Sequence, residues 1–117
     1  MAAAQVNLVL EQGATFTASV TVDLDLTGYI VRMQGRTSID ASATLFDIDS
    51  GAKTGITIDS TSATSSTFTY KVAASATAAM SLDAPGVYDI EIDDQGGTPV
   101  VTRVLEGKLI WSKEVTR

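Results

Sequence analysis

Apolar and polar residues alternate along most of this chain with the two-residue period of β-strands. In the clearest example, residues 14–22, the apolar residues occupy every second position: Phe16, Ala18, Val20 and Val22. Successive side chains of a strand point to opposite faces, so this segment predicts a strand with one buried face and one exposed face. The same period predicts further strands over residues 5–10, 29–36, 43–48, 55–59, 67–72, 86–93 and 100–111.

One segment departs from this alternation. Ser75 is of a type that caps helix N-termini, and Ala76, Ala79 and Met80 fall on one helical face. These features predict one short helix over residues 75–82 that crosses an end of the sheets. The turn-forming sequence DAPG that follows predicts the end of this helix.

The number and spacing of the strands indicate the fold class. Seven or eight short strands separated by turn-forming sequences are typical of a β-sandwich, of which the immunoglobulin-like arrangement is the commonest. We therefore predict an all-β, immunoglobulin-like β-sandwich of 7–8 antiparallel strands. No internal repeat or long linker divides the chain, so we expect a single domain over residues 1–117 with a short extended C-terminal tail.

The last predicted strand, residues 100–111, is apolar at both odd and even positions. Such a strand is either bulged, so that its faces swap, or covered on both sides. A bulge at Glu106 and Gly107 is the favoured interpretation, because glycine accepts the backbone angles that a bulge requires. In the alternative, one apolar face of the strand meets another chain.

Composition excludes several kinds of function. The net charge is -6, which argues against binding to nucleic acid or to an anionic membrane surface. The chain contains no histidine and no cysteine, so it lacks the usual general base and the commonest metal ligands. No apolar run reaches the roughly 20 residues that span a bilayer, and the N-terminus lacks a signal-peptide pattern.

No pattern in the sequence predicts a catalytic site, a cofactor or a metal. Serines and threonines lack a GxSxG elbow and a histidine partner. Acidic residues do occur at i and i+2 spacing, which in a strand places them on the solvent face. These acids are Asp23 with Asp25, Asp47 with Asp49, and Asp89 with Glu91 and Asp93. We expect a protein that is not an enzyme.

Two groups of residues are not needed to build the hydrophobic core, and they are candidates for binding a protein partner. The first is Arg32, Gln34 and Arg36, which share one face of the strand over residues 29–36. The second is the end of the chain, namely Ile110, Trp111, Lys113, Glu114, Val115, Thr116 and Arg117. Trp111 is the single tryptophan, and packing at the sandwich end or against a subunit is favoured over the stacking of a sugar ring.

The order of motifs resembles a known family. The motifs are QGATFTASVTV, DLTGY, IVRMQGR, FTYKVAASATAAMSL, PGVYDIEI and TRVLEGKLIWSKEVTR. In this order they resemble small virion proteins of tailed bacteriophages and the N-terminal immunoglobulin-like domain of siphophage upper baseplate proteins. The chain departs from that family where Lys113 stands at a position that is proline in many relatives.

The resemblance implies a structural protein of the virion, made in the host bacterial cytoplasm. It implies a tail or baseplate adaptor that attaches or organises fibres, with other phage structural proteins and further copies of this chain as partners. A capsid decoration protein of the same fold is the alternative within this class. A carbohydrate-binding module that uses Trp111 is the alternative of another class.

Overall fold

The computed structural model describes residues 3–80 and 84–115. These residues form nine strands and one helix. In chain order the elements are β1 (Ala4–Gln5), β2 (Leu8–Glu11), β3 (Phe16–Val22), β4 (Ile30–Arg36), β5 (Phe46–Asp49), β6 (Ile56–Thr61), β7 (Ser66–Val72), α1 (Ala74–Ala79), β8 (Gly86–Asp93) and β9 (Val101–Ser112). In the described part of the chain, no helix is long and apolar enough to cross a membrane.

The strands form two sheets that pack face to face. The larger sheet has the order β1-β9-β8-β4-β5, with β2 also paired to β9, and the smaller sheet has the order β3-β7-β6. In a seven-stranded immunoglobulin-like sandwich the first, second, fifth and fourth strands form one sheet, and the third, sixth and seventh form the other. Here β3 corresponds to the second strand of that scheme, β7 and β6 to the fifth and fourth, and β4, β8 and β9 to the third, sixth and seventh. The strands β3, β7 and β6 opposite β4, β8 and β9 reproduce this arrangement. The predicted all-β, immunoglobulin-like sandwich is therefore confirmed.

The first predicted strand differs from expectation, since it is divided and runs parallel to its neighbour. β1 and β2 both pair in parallel with β9, which gives nine strands rather than 7–8 and makes the sandwich not wholly antiparallel. The division falls at Val6 and Asn7. The Val6 carbonyl accepts a hydrogen bond from the Tyr88 hydroxyl at 2.5 Å. The Asn7 side-chain oxygen accepts one from the Lys108 backbone N–H at 3.1 Å.

The predicted helix is present but starts earlier and has a different first turn. α1 spans Ala74–Ala79, and Ala73 rather than Ser75 occupies the N-cap, with no side-chain hydrogen bond. Thr77 is buried and its hydroxyl donates to the carbonyl of Ala14 at 2.8 Å, which ties the helix to the start of β3. Residues 81–83, which include the end of the predicted helix, lie outside the described residues.

A single hydrophobic core fills the space between the sheets. It forms because β4, β7 and β8 each turn alternate apolar residues inward, as their sequences predict. Its most deeply buried large side chains are Tyr70, Phe68, Leu10, Leu26, Met33 and Ile90. Phe16 packs beside Tyr70 with ring centroids 6.0 Å apart, so the start of β3 also contacts this core.

The bulge expected in the last strand exists, but it lies at Val104 and not at Glu106 and Gly107. Ile90 of β8 is opposite Leu105, whereas the next residue, Glu91, is opposite Arg103. Val104 is therefore the additional residue, and both Val104 and Leu105 are buried. Two adjacent apolar side chains enter the core here, because the bulge changes which positions face inward.

Gly107 has a different role from the one expected of it. A Cβ atom at this position would collide with the carbonyl oxygen of Val6, the same oxygen that accepts the Tyr88 hydroxyl. The glycine is required because the N-terminal segment runs alongside β9 and its Val6 carbonyl lies very close to the backbone of Gly107. It therefore permits β1 and β2 to dock on the edge of the larger sheet.

Replacing Gly107 with alanine should destabilise the fold. We expect Gly107→Ala to lower the free energy of unfolding by about 1–3 kcal/mol, because the methyl group has no space beneath the Val6 carbonyl. Gly97→Ala is the control, since nothing lies within 4 Å of a Cβ there, and we expect a change within about 0.5 kcal/mol. Urea unfolding followed by Trp111 fluorescence measures both, and equal effects would contradict the close-approach explanation.

Candidate partner-binding surface

The predicted partner-binding residues of β4 lie together on the outer face of the larger sheet. Arg32, Gln34 and Arg36 alternate along β4 with buried residues, so all three point away from the core. β4 lies between β8 and the edge strand β5, so these side chains lie one strand in from that edge of the sheet. The expectation that they share one outward face is confirmed.

Arg32 forms ion pairs with acidic side chains of the neighbouring strand β8. Its Nε lies 3.4 Å from Glu91 Oε1, and its Nη1 lies 3.6 Å from Asp93 Oδ2. The exposed pair with Glu91 contributes at most about 1 kcal/mol, because water screens both partners. Asp93 is buried at 7% exposure, so its pair with Arg32 is shielded from water. The Arg32 guanidinium can therefore exchange Glu91 for a carboxylate on another protein at little cost in stability while it stays paired with Asp93.

A second charged cluster connects β8, β9 and the N-terminal segment. Arg103 Nε lies 3.4 Å from Asp89 Oδ2, and its Nη1 lies 3.0 Å from Glu106 Oε2. The other Glu106 oxygen accepts a hydrogen bond from the Gln5 side-chain amide at 2.7 Å. These contacts bring together side chains from three separate parts of the sequence.

Arg36 supports the fold in addition to being on the candidate surface. Its guanidinium donates to the Ala41 carbonyl at 2.8 Å and to the Gln34 side-chain oxygen at 2.9 Å. The first bond fixes the loop between β4 and β5. That loop carries Ile39, an isoleucine side chain that is 81% exposed.

Most of these side chains, although not Arg32 and its partners, line a groove of about 370 Å³ that crosses the outer face from β4 to β9, here termed the β4–β9 groove. One wall is formed by Gln34 and Arg36, and the opposite wall by Arg103 and Glu106. Val87 of β8 lies between these walls, opposite Arg36 in the strand register. The exposed Ile39 stands at the rim. The groove thus combines apolar surface with charges of both signs.

The carboxyl of Asp89, which lines this groove, has a raised pKa. Burial raises the pKa of its carboxyl above the usual aspartate value of 3.8, and repulsion from Glu91 adds to the increase. Attraction to Arg103 opposes this effect and does not cancel it. Because the charged form is the one that is disfavoured, a cationic group of a partner near Asp89 would relieve part of this cost.

The hydrophobic residues at the end of β9 lie on opposite faces. Ile110 points outward, is 41% exposed, and is opposite Val9, which is 51% exposed. Trp111 instead packs against the core, and its indole nitrogen is buried without a hydrogen-bond partner among the described residues. Trp111 therefore presents little ring surface on which a sugar could stack.

The tail after β9 contacts the turn between β2 and β3. The Glu114 backbone N–H donates to the Gln12 side-chain oxygen at 2.9 Å, and the Glu114 carboxylate covers Gly13. Lys113 is exposed, and Val115 is 93% exposed. Thr116 and Arg117, the last two predicted partner-binding residues, lie outside the described residues.

The groove contains residues that the sequence did not single out. Asp89 belongs to a recognisable outward alternation in β8, but nothing local connects it with Arg103. The bulge at Val104 alters the alternation of β9 and so conceals that Arg103 points outward. Gln5 and Ile39 are distant in sequence and approach only through strand pairing and a loop contact.

The acidic pairs do not converge. Within residues 3–80 and 84–115, no three acidic side chains are grouped so as to hold a metal ion. Asp25 instead accepts hydrogen bonds from the backbone N–H and hydroxyl of Thr27 at 3.0 and 2.7 Å, which lowers the pKa of its carboxyl. Its role in the DLTGY segment is to fix the turn before β4.

Asp89→Asn should change how stability depends on pH. The native pKa of Asp89 is raised, so its ionisation disfavours the fold, and this disadvantage grows as pH rises above 3.8. We expect the stability of the variant relative to the unmodified chain to increase from pH 3 to pH 7. Urea unfolding across this range measures the difference. The exposed Asp40→Asn removes the same charge as a control, and parallel curves for the two variants would contradict the assignment.

Comparisons with known proteins identify no family for this chain. No family model matches it, and no curated protein matches it. It is similar to a solved structure described as "Structure-based site-directed photo-crosslinking analyses of multimeric cell-adhesive interactions of VGSC beta subunits". That alignment has 7% identity and a TM-score of 0.39, and it covers 91% of this chain and 92% of the other. The chain is an all-β, immunoglobulin-like sandwich.

Proposed function

We propose that this chain is a structural protein of a tailed-bacteriophage particle that works by binding other proteins. Within the particle we place it at the tail or baseplate, as an adaptor that attaches or organises fibres or neighbouring tail proteins. The proposal involves no catalytic step and no cofactor. Its partners are other phage structural proteins and further copies of this chain.

The order of sequence motifs is the observation that carries this proposal. The segments that resemble phage virion and baseplate proteins extend over nearly the whole chain, from QGATFTASVTV to TRVLEGKLIWSKEVTR. They coincide with structural features, since DLTGY forms the turn before β4 and PGVYDIEI contains all of β8 except Asp93. The resemblance thus follows elements of the fold and not isolated residues.

The outer face of the larger sheet supports the binding part of the proposal. The β4–β9 groove brings exposed apolar groups and loosely held charges together, a combination that is suited to a protein interface. Its rim residue Ile39 is 81% exposed. Arg103 in this groove is paired with the partly exposed Asp89 and Glu106, so its guanidinium is open to a partner's carboxylate.

Locating the chain in particles tests the proposal directly. Virions of the phage that encodes the chain are purified, heads and tails are separated, and the chain is located by mass spectrometry. We expect it in the tail fraction. Its presence in heads alone would support the capsid decoration alternative, and its absence from both would contradict the whole proposal.

Ile39→Asp should reduce incorporation into particles without reducing stability. The side chain is 81% exposed, so its replacement removes apolar surface at the rim of the groove and leaves the core unchanged. A large side chain that anchors an interface costs more than about 1 kcal/mol of binding free energy when it is removed. Val100→Asp, at a site 61% exposed in the β8–β9 loop, is the control. Quantitative mass spectrometry of virions should show a loss only for Ile39→Asp.

The C-terminal tail is tested separately. Truncation after Ser112 removes Glu114 and Val115, whose contacts lie at the surface. We expect weaker incorporation into particles and a melting temperature close to that of the full chain. Normal incorporation of the shortened chain would remove the tail from the proposed interface.

A further inference from the structure

The smaller sheet ends in an unpaired strand. Among the residues that the structure describes, β3 pairs with β7 along one side only, over all seven residues of Phe16–Val22. The backbone N–H and C=O groups on its other side therefore have no strand partner. Such an edge is a ready template for the addition of another strand.

This edge lacks the features that normally prevent strand addition. No charged residue and no proline occurs between Gln12 and Val22, and the strand is rich in threonine and valine. The opposite edge, β6, is different, because it has a register irregularity beside Asp59. β5 is also protected, since it is only four residues long and carries Asp47 and Asp49.

The core is incompletely covered along β3. Its inward residues Phe16, Ala18 and Val20 are only partly buried, although they pack against the core. On the adjacent strand β7, Phe68 and Tyr70 are 0% and 2% exposed. A further strand beside β3 would cover the exposed flank of these three apolar side chains.

The sequence of β3 matches itself in the antiparallel direction. Ser19 is the central residue of Phe16–Val22. If two copies pair about Ser19, Thr17 lies opposite the partner's Thr21, and Ala18 lies opposite the partner's Val20. Hydroxyl groups then meet hydroxyl groups on the outer face, and apolar groups meet apolar groups on the inner face. If the register of the two strands shifted by one residue, the outer face of one sheet would continue into the inner face of the other. A shift by two residues would keep the faces aligned but would leave fewer residues paired.

We propose that a second copy of this chain binds at β3, antiparallel and centred on Ser19, to form one continuous six-stranded sheet from two smaller sheets. Each copy carries a net charge of -6, but Glu11 and Asp23 are the nearest charged residues of the segment to the contact. Charge repulsion therefore acts mainly away from the joined strands. The contact is independent of the β4–β9 groove and of whether the protein acts in a virion.

A single cysteine at the centre of the contact tests the register. Directly opposed residues of antiparallel strands have Cα atoms about 4.5–5.5 Å apart, within the range that a disulfide bridges. The chain has no cysteine of its own. We expect Ser19→Cys to form a covalent dimer rapidly in oxidised glutathione.

Thr57→Cys is the matched control. Thr57 and Ser19 are both exposed, and both lie opposite Thr69 of β7, but Thr57 is on β6 at the other edge. We expect little covalent dimer from this variant. Equal rates of disulfide formation in the two variants, or faster formation by Thr57→Cys, would overturn the proposed contact.

A second pair of variants tests the association without a covalent link. Ser19→Lys places two ammonium groups opposite each other at the dimer axis, whereas Thr57→Lys adds the same charge away from it. Sedimentation equilibrium should show a dimer for the unmodified chain and for Thr57→Lys, with at least about tenfold weaker association for Ser19→Lys. A monomeric unmodified chain at every attainable concentration would refute the proposal, and circular dichroism verifies that each variant is folded.

Discussion

The position of β9 between two kinds of neighbour is the constraint on which the rest of the structure depends. β9 pairs antiparallel with β8 along most of its twelve residues and in parallel with β1 and β2 on its other side. It must therefore satisfy backbone groups on both sides while turning only one face to the core. The bulge at Val104 accommodates a sequence that is apolar at adjacent positions, because it lets Val104 and Leu105 both enter the core and then restores the alternation.

The close approach of the N-terminal segment follows from the same arrangement. Gly107 faces the Val6 carbonyl, and the Tyr88 hydroxyl donates to that carbonyl from the core. Burial raises the pKa of Tyr88, so the hydroxyl keeps its proton and remains a donor across the physiological range. One glycine and one tyrosine thus fix the edge of the larger sheet, and with it one end of the β4–β9 groove.

The two surfaces differ in physical character, and this difference suggests different uses. The outer face of the larger sheet carries mixed charge, including Arg32 with Glu91 and Arg103 with Asp89, which suits selective contact with an unlike protein. The free edge of β3 is uncharged and self-complementary, which suits contact with an identical chain. In the two proposed contacts, the subunit would pair with a copy of itself through β3 and keep its charged face for other partners.

The sequence by itself determined most of the strands, the inward faces of β3, β4, β7 and β8, and the sandwich, because a two-residue alternation directly encodes which side of a strand is buried. The segment of β8 was predicted with its observed bounds, and Arg32, Gln34 and Arg36 were placed on one outward face. Only the tertiary structure decided the parallel pairing of β1 and β2, the position of the bulge, and the meeting of Gln5, Arg103 and Asp89. Alternation describes one strand at a time, whereas register and neighbours depend on contacts between segments that are distant in sequence.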